Sequence, residues 1–310
     1  MKNFNRTAEK PEKVSGVRSC RFPSSSDILL LSGCAEKRIS RWRDGKWDYT
    51  GLELPLNWPL LGCTDMTGDG SGDVVVAGRG EADGITNIYV GYYHHGDPEQ
   101  WRNIGCIANT GDKNWVVTFC NLTGSPKKNS IVLQEPESGF FGAWVDGTDN
   151  WLPLGTGLGK EWHLVCTGDL DGDGKAEIVF FYNNTLYLTG LDKPLTKLED
   201  YGQEWRGELC GDFEGNGKSD LVLRHCWSGE IARVSMDKRW TPMGKLDPEW
   251  AVIGVGDYSG KGKNDLLLWQ QTTGVFGYLE NGDFTCWNQV GVFLSGDGHL
   301  TGTSGKVFYV

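Results

Sequence analysis

Asp169–Phe180 reads DLDGDGKAEIVF, and the pattern returns at Asp212–Leu223 (DFEGNGKSDLVL), Asp257–Leu268 (DYSGKGKNDLLL) and Asp65–Val75 (DMTGDGSGDVV). In each copy an acid-rich turn with two glycines runs into a β-branched or Leu-rich stretch, so a loop opens directly onto a strand. Weaker copies begin at Asn121 (NLTGSPKKNSIVL), Phe22 (FPSSSDILLL) and His299 (HLTGTSGKVFYV). The seven starts fall at 22, 65, 121, 169, 212, 257 and 299, with steps from 42 (257 to 299) to 56 (65 to 121) residues.

Between the loops a second signature recurs as Trp-x-x-x-Gly, at Trp47/Gly51, Trp101/Gly105, Trp151/Gly155, Trp240/Gly244 and Trp287/Gly291, with Leu198/Gly202 as its conservative variant. A further Trp precedes the loop at Trp58, Trp115, Trp162, Trp205 and Trp250. Each unit therefore reads as four short strands. One enters the loop (Trp250–Gly256), one leaves it (Asp265–Gln270), a third lies near Val275–Leu279, and the fourth carries the Trp-x-x-x-Gly. Four strands per 40- to 50-residue period is the arithmetic of a β-propeller blade. Seven starts predict an all-β, seven-bladed propeller of four-stranded antiparallel blades, a single domain over residues 1–310. The last copy stops at Val310 after two strands, and Phe4-x-x-x-Ala8 mimics the fourth-strand signature. The N- and C-terminal strands are thus expected to share one blade and leave no free sheet edge.

Alternating oxygen-bearing side chains on a tight glycine turn converge on one point, which suits a hard cation of flexible, oxygen-rich coordination such as calcium. The best copy offers Asp169, Asp171, Asp173 and Glu177 with the Lys175 carbonyl; the second Asp65, Thr67, Asp69 and Asp73 with the Ser71 carbonyl; the third Asp212, Glu214, Asn216 and Asp220 with the Lys218 carbonyl. About three structural Ca²⁺ sites are expected. At Asp257 a lysine, Lys261, takes the third ligand position, where its ammonium is expected to neutralise Asp257 and Asp265. The alternative for all these loops is a cluster of Asx turns in which each Asp caps its own backbone without metal.

The stretches GDLDGDGKAEIVF, GDFEGNGKSDLVL and GDYSGKGKNDLLLW resemble the FG-GAP, or VCBS-type, repeat of integrin α-subunit propellers, bacterial surface proteins and some fungal lectins. The resemblance runs from about Val14 to Val310 and implies a propeller with calcium in its blade loops. It does not imply one activity, because adhesion receptors, lectins and polysaccharide lyases share the repeat. Three of the seven loops lack the acids.

With 30 Lys and Arg against 41 Asp and Glu, the chain has a net charge of −11, which argues against a nucleic-acid or anionic-membrane binder. No apolar run is long enough to span a bilayer. No signal peptide is visible, so the chain reads as cytoplasmic as written, or extracellular if Met1 begins a trimmed chain. There are nine cysteines and no CxxC pair; Cys20, Cys63, Cys120, Cys166 and Cys210 recur just before the loops, as small apolar residues on equivalent strands do.

Ligand recognition is sought where the blades differ. The longest unit holds Tyr92, Tyr93, His94 and His95, which either stack on a sugar or peptide or merely end a strand and form a solvated turn. A metal on the two adjacent histidines is not expected, because neighbouring strand residues point to opposite faces. Trp42 and Trp227 fall outside the repeating Trp positions and are candidates for exposed stacking. Phe140, Phe141, Trp144, Phe276 and Tyr278 share a third-strand position and are expected to pack between blades. No nucleophile elbow, phosphate loop or His-Glu-x-x-His occurs. The expected function is a non-catalytic, calcium-stabilised module that recognises carbohydrate or protein through a propeller face. The alternatives are a protein-only adhesion or assembly module, and a polysaccharide lyase or hydrolase at the channel mouth. For the latter His163, His225 and Tyr182 are the candidate bases, although His163, in a strand beside a repeat Trp, reads as a packed core histidine.

Overall fold

Each acidic loop delivers the chain from one strand of an antiparallel hairpin to the next, and each hairpin continues into a four-stranded meander. A computed structural model describes residues 28–32, 37–43, 45–54, 58, 60–82, 85–108, 115–125, 128–135, 137–155, 158–292, 298–301 and 308–309. The first three strands are β1 (Ile28–Ser32), β2 (Lys37–Arg43) and β3 (Lys46–Leu54). Then come β4 (Leu60–Thr64), β5 (Asp73–Ala82), β6 (Ile85–Tyr93) and β7 (Trp101–Ala108), followed by β8 (Val116–Cys120), β9 (Ser130–Glu135), β10 (Phe140–Trp144) and β11 (Trp151–Gly155). The next blade is β12 (His163–Gly168), β13 (Glu177–Tyr182), β14 (Thr185–Gly190) and β15 (Lys193–Glu199). It is followed by β16 (Trp205–Gly211), β17 (Asp220–His225), β18 (Glu230–Val234) and β19 (Trp240–Lys245), and by β20 (Trp250–Gly256), β21 (Asp265–Gln270), β22 (Val275–Leu279) and β23 (Trp287–Val292). Two short strands end the chain, β24 (Gly298–Thr301) and β25 (Phe308–Tyr309).

The fold is an all-β propeller, and its blade count corrects the expectation of seven. Among the described residues there are five blades of four antiparallel strands, and the β8–β11 meander forms a further sheet that carries β25 as a fifth strand. The miscount has a topological cause. The copies at Phe22 and His299 do not make two blades, because β24 pairs with β1, Leu31 opposite His299, and so completes the sheet of β1, β2 and β3. The expected second strand of a seventh blade, β25, pairs instead with β8, Phe308 opposite Val117. The termini do close the ring on a shared blade, with one C-terminal strand and three from the N-terminal side. The N-terminal strand expected at Phe4–Ala8 lies outside the described residues.

The first strands of successive blades, β8, β12, β16, β20, β24 and β4, touch in that order around the centre. Every residue of β4, β8 and β9 is buried, as strands covered on both faces must be, whereas β19 and β23 alternate exposed and half-buried positions. Phe276, Trp42 and Tyr258 form one core cluster and Phe119, Ile131 and Val90 another, each spanning two blades. The Trp-x-x-x-Gly signature has a steric basis here. A Cβ on Gly91 of β6 would lie 2.5 Å from the Trp101 ring, and one on Gly105 of β7 would lie 2.1 Å from Trp144 in the next blade. At Gly105 and Gly244 the fourth-strand glycine makes room for an aromatic ring of the next blade, and at Gly155 and Gly291 for the third-strand Phe of its own.

The loops bind the blades at one end of the ring. The carbonyl of the first loop residue accepts an N–H from the next blade's loop in four successive pairs: Asp65 from Asn129 (3.0 Å), Asn121 from Ala176 (2.7 Å), Asp169 from Ser219 (2.6 Å) and Asp212 from Asn264 (2.7 Å). The cysteines before the loops lie just inside this belt. Cys63, Cys120, Cys166 and Cys210 are buried, and the Cys166 and Cys210 sulfurs, on neighbouring blades, are 2.7 Å apart. Burial pushes the Cys120 thiol up to about 12, where almost no reactive thiolate forms at neutral pH. Alkylation of the native protein, mapped by mass spectrometry, should therefore modify the exposed Cys106, Cys226 and Cys286 and spare these four until the fold is unfolded. Modification of the four at the rate of the exposed three would show that the blades are not packed as described.

Candidate functional site

The first acid of each loop is held by its own backbone. Asp169 Oδ1 accepts the N–H groups of Gly172 (2.7 Å) and Asp173 (3.1 Å), and its Oδ2 accepts that of Gly174 (2.8 Å). Asp65 does the same with Thr67, Gly68 and Gly70, and Asp212 with Gly215, Asn216 and Gly217. This is the Asx-turn geometry weighed against calcium, and it uses both oxygens of each acid. The last acid ties the loop down: Glu177 accepts the Leu170 N–H (2.8 Å), Asp73 that of Met66 (2.9 Å) and Asp265 that of Ser259 (2.7 Å).

The remaining carboxylate oxygens meet cations supplied by the chain itself. In the Asp169 loop the Lys193 ammonium, from the start of β15, lies 2.7 Å from Asp171, 3.0 Å from Asp173 and in contact with the buried Glu177. Burial works against the charge on Lys193, but those three hydrogen bonds hold its ammonium well above the usual lysine range. Burial likewise pushes Glu177 up, in spite of Lys193. In the Asp212 loop Arg233 reaches Asp220 (2.9 Å) and Glu214 (3.0 Å), and Arg239 also reaches Glu214. In the Asp257 loop Lys261 does not bridge Asp257 and Asp265 as expected. Its ammonium pairs with Glu280, and Asp265 accepts the Asn281 N–H (2.8 Å) instead. Among the described loops, that of Asp169 is the one whose carboxylates meet at a lysine ammonium, not at an arginine or a histidine.

In the Asp65 loop the counter-groups are His94 and His95, and here the structure departs furthest from the strand geometry assumed for them. Tyr92 and Tyr93 do end β6, buried, and stack on nothing outside the fold. His94–Gly96 is a 3-10 turn, with His95 in the left-handed region at φ +52. That turn puts both imidazoles on one side, rings 3.7 Å apart, over the loop carboxylates. His94 Nδ1 is 3.0 Å from Asp73 Oδ1, which also accepts the His95 N–H (2.9 Å); His95 Nε2 contacts Asp69, and His94 Nε2 is 3.8 Å from it. Burial pushes the Asp73 carboxyl up, opposed by the His95 and Met66 amides and by His94. At Asp69 burial is outweighed by the Ser71 amide and the His95 ring, which hold the carboxyl below its ordinary range.

The other candidates separate. Trp42 is buried against Tyr278, so it offers no exposed ring, whereas Trp227 is 82% exposed at the β17–β18 hairpin tip. His225 is taken up by Glu204 (3.0 Å) and the Ser228 N–H (3.0 Å), Tyr182 is stacked on Trp162, and His163, read as core, is exposed on β12. These three do not join into one acid–base group. On the loop side of the ring a central cavity of about 510 Å³ opens, lined by belt residues including Asp65, Asn121, Asn129, Asp169, Ser219 and Asn264. Asp65 and Gly70, which line the cavity, belong to the loop that carries Asp69 and Asp73, so the histidine cluster is one loop away from the cavity wall.

No protein-family model matches the chain, and no curated protein matches it. Solved propeller structures do. Virginiamycin B lyase from Staphylococcus aureus aligns at 13% identity and a TM-score of 0.46, over 92% of this chain and 96% of that one. A streptogramin B lyase aligns at 11% and 0.45, over 93% and 95%, and the S511A mutant of puromycin hydrolase at 14% and 0.44, over 86% and 46%. All three are named for enzymes, whereas the expectation from the sequence is a non-catalytic binding module. At these identities the likeness is one of fold, and no activity is transferred by it.

Glu177 gives a direct test of the internal cations. With Lys193→Met the buried carboxyl loses its partner and its folded-state pKa rises further above the ordinary 4.5. The folded state then holds a proton that the unfolded chain releases, so the variant's stability falls as pH rises above that value. Denaturant titration should find little difference from wild type at pH below the carboxylate range and a deficit of about 1–3 kcal/mol at neutral pH. An equal deficit at both pH values would mean that Lys193 acts by packing alone.

Proposed function

We propose that the protein is an enzyme of the lyase or hydrolase class that acts on a polysaccharide at the channel mouth, with Asp69, Asp73, His94 and His95 as its proton-handling group. The observation that carries this reading is the convergence of two imidazoles and two carboxylates at one point, with Asp73 buried behind His94 and the other face open to solvent. A carboxylate behind an imidazole fixes its tautomer and steadies the imidazolium that forms when it takes a proton, which is the arrangement general-base catalysis needs. Hydrolysis needs that base to activate water, and β-elimination needs it to take the proton beside a uronate carboxyl. The polysaccharide reading is supported by Trp47, Trp240 and Trp287, which are partly exposed at the heads of β3, β19 and β23, where indole faces suit sugar rings.

Neutral and acidic polysaccharides should be incubated with the protein and followed for new reducing ends and for the ultraviolet absorbance of unsaturated uronates. Turnover is expected in one of the two assays, and His95→Ala should lower it by about 10²- to 10⁴-fold with the melting temperature retained. Folded protein that turns over no substrate, or a His95→Ala variant as active as wild type, would refute the reading.

The loops are assigned on their motif to the FG-GAP type, and calcium is assigned to the Asp169 loop alone. Asp169, Asp171 and Glu177, which each bring a carboxylate oxygen within 4.8 Å of the others, together with Asp173 and the Lys175 carbonyl, are the donors such an ion would take, in competition with Lys193. At the other two expected loops the arginines and histidines stand where the ion would go. Lys193→Met should therefore gain a calcium-dependent rise in melting temperature that a chelator reverses, because an ion bound only to the folded state stabilises it. A Lys193→Met melting curve indifferent to calcium would remove the assignment.

A further inference from the structure

The turn that carries His94 and His95 is built three times. Val145–Gly147 and Glu280–Gly282 have the same 3-10 form, with Asp146 (φ +54) and Asn281 (φ +53) in the left-handed position of His95 (φ +52). The N–H of that residue is anchored each time to the side chain that begins the blade's second strand: His95 to Asp73 (2.9 Å), Asp146 to Ser130 (3.1 Å) and Asn281 to Asp265 (2.8 Å). The backbone is thus a shared scaffold, and the pair of imidazoles is peculiar to this copy.

Those imidazoles are presented as ligands are. Asp73, with no exposed surface, lies 3.0 Å from His94 Nδ1; with Nδ1 donating to this carboxylate, the lone pair of His94 is on Nε2. That Nε2 faces Asp69 at 3.8 Å, and His95 Nε2 contacts the same Asp69 oxygen, so two nitrogens and one oxygen lie within 4.8 Å of one another. Three donors this close fit around one ion at about 2.0–2.2 Å each after a small opening of the Asp69–His95 contact. The His94, His95 and Asp69 side chains keep 21%, 15% and 38% of their surface exposed, which leaves coordination positions open to water. Two imidazoles and one carboxylate are a donor set for zinc-class ions and a poor one for calcium, which takes oxygen.

We propose that Asp69, His94 and His95 bind one zinc-class divalent ion at the Asp65 loop, with Asp73 as the residue that orients His94. The site departs from the oxygen-only set expected of the Asp65 loop: Asp69, at the third ligand position, is a donor, Asp73, the last acid, orients His94, and the other donors are nitrogens from the neighbouring turn. It does not depend on the proposed catalysis. With the ion bound, a water on it takes the role given above to free imidazole.

The test is binding without substrate. Chelator-treated protein is titrated with Co²⁺, read by its visible absorption, and with Zn²⁺ by calorimetry. One Zn²⁺ per chain is expected, displacing Co²⁺, with no competition from excess Ca²⁺. Asp73→Asn should weaken binding by about 10- to 100-fold, as loss of an orienting carboxylate does. His94→Gln, His95→Gln and Asp69→Asn should each abolish stoichiometric binding, and Asp171→Asn, in the Asp169 loop, should leave it unchanged. Absence of stoichiometric binding to folded wild-type protein, or binding that survives in the His94→Gln/His95→Gln double variant, would overturn the proposal. Either result leaves the polysaccharide assay to decide the catalytic reading separately.

Discussion

The bond from a loop's first carboxylate to the loop's own amides holds the rest in place. A six-residue turn that passes through two left-handed glycines, such as Gly172 (φ +80) and Gly174 (φ +86), has amides that point inward and strands to neither side. Asp169 collects three of them on its two oxygens, and Asp65 and Asp212 repeat the arrangement. Charged acceptors make such bonds worth roughly 1.5–3 kcal/mol each. With its side chain so fixed, the same residue aims its carbonyl at the next blade's loop, and four such bonds in succession lock neighbouring blades at one end of the ring. The motif is therefore a connector first, whatever ions it also takes.

Once the first acid is committed to the backbone, the later acids carry uncompensated charge at a partly buried point, where like charges cannot be left alone. This chain answers with a different partner in each of three loops: Lys193, the pair Arg233 and Arg239, or the imidazoles of His94 and His95. Each answer has its own chemistry. Arginine closes a loop with fixed bidentate geometry, lysine is a flexible point charge that another cation can displace, and imidazole alone can give or take a proton or bind a transition metal at neutral pH. Among the described loops, only that of Asp65 therefore carries imidazoles beside its carboxylates.

Much of this was legible in the sequence and some was not, for physical reasons. The spacing of the loops and of Trp-x-x-x-Gly implied four-stranded blades, because strand length and turn chemistry are local. Blade number is a closure property: His299 and Phe22 look like two units, and only the pairing of β24 with β1 shows that they are one. The counter-cations were invisible for a related reason, since Lys193 and Arg233 lie 16 and 13 residues beyond the acids they meet, on other strands. A turn at His94-His95 is among the readings of the sequence, and only the argument against a shared metal treats them as strand residues. A signal was present: His94-His95-Gly96, Val145-Asp146-Gly147 and Glu280-Asn281-Gly282 each stand shortly before the Trp of the fourth strand, and a residue before glycine at that place reads as a tight turn.

Amide hydrogen exchange in the presence of a chelator addresses the connector role of the loops most directly. The amides of Gly70, Gly174 and Gly217, bonded to first acids, and of Asn129, Ala176, Ser219 and Asn264, bonded across blades, should exchange as slowly as those of the buried strands β4 and β8. Rapid exchange at these loop amides while the strands stay protected would show that the blades are joined by strand packing alone.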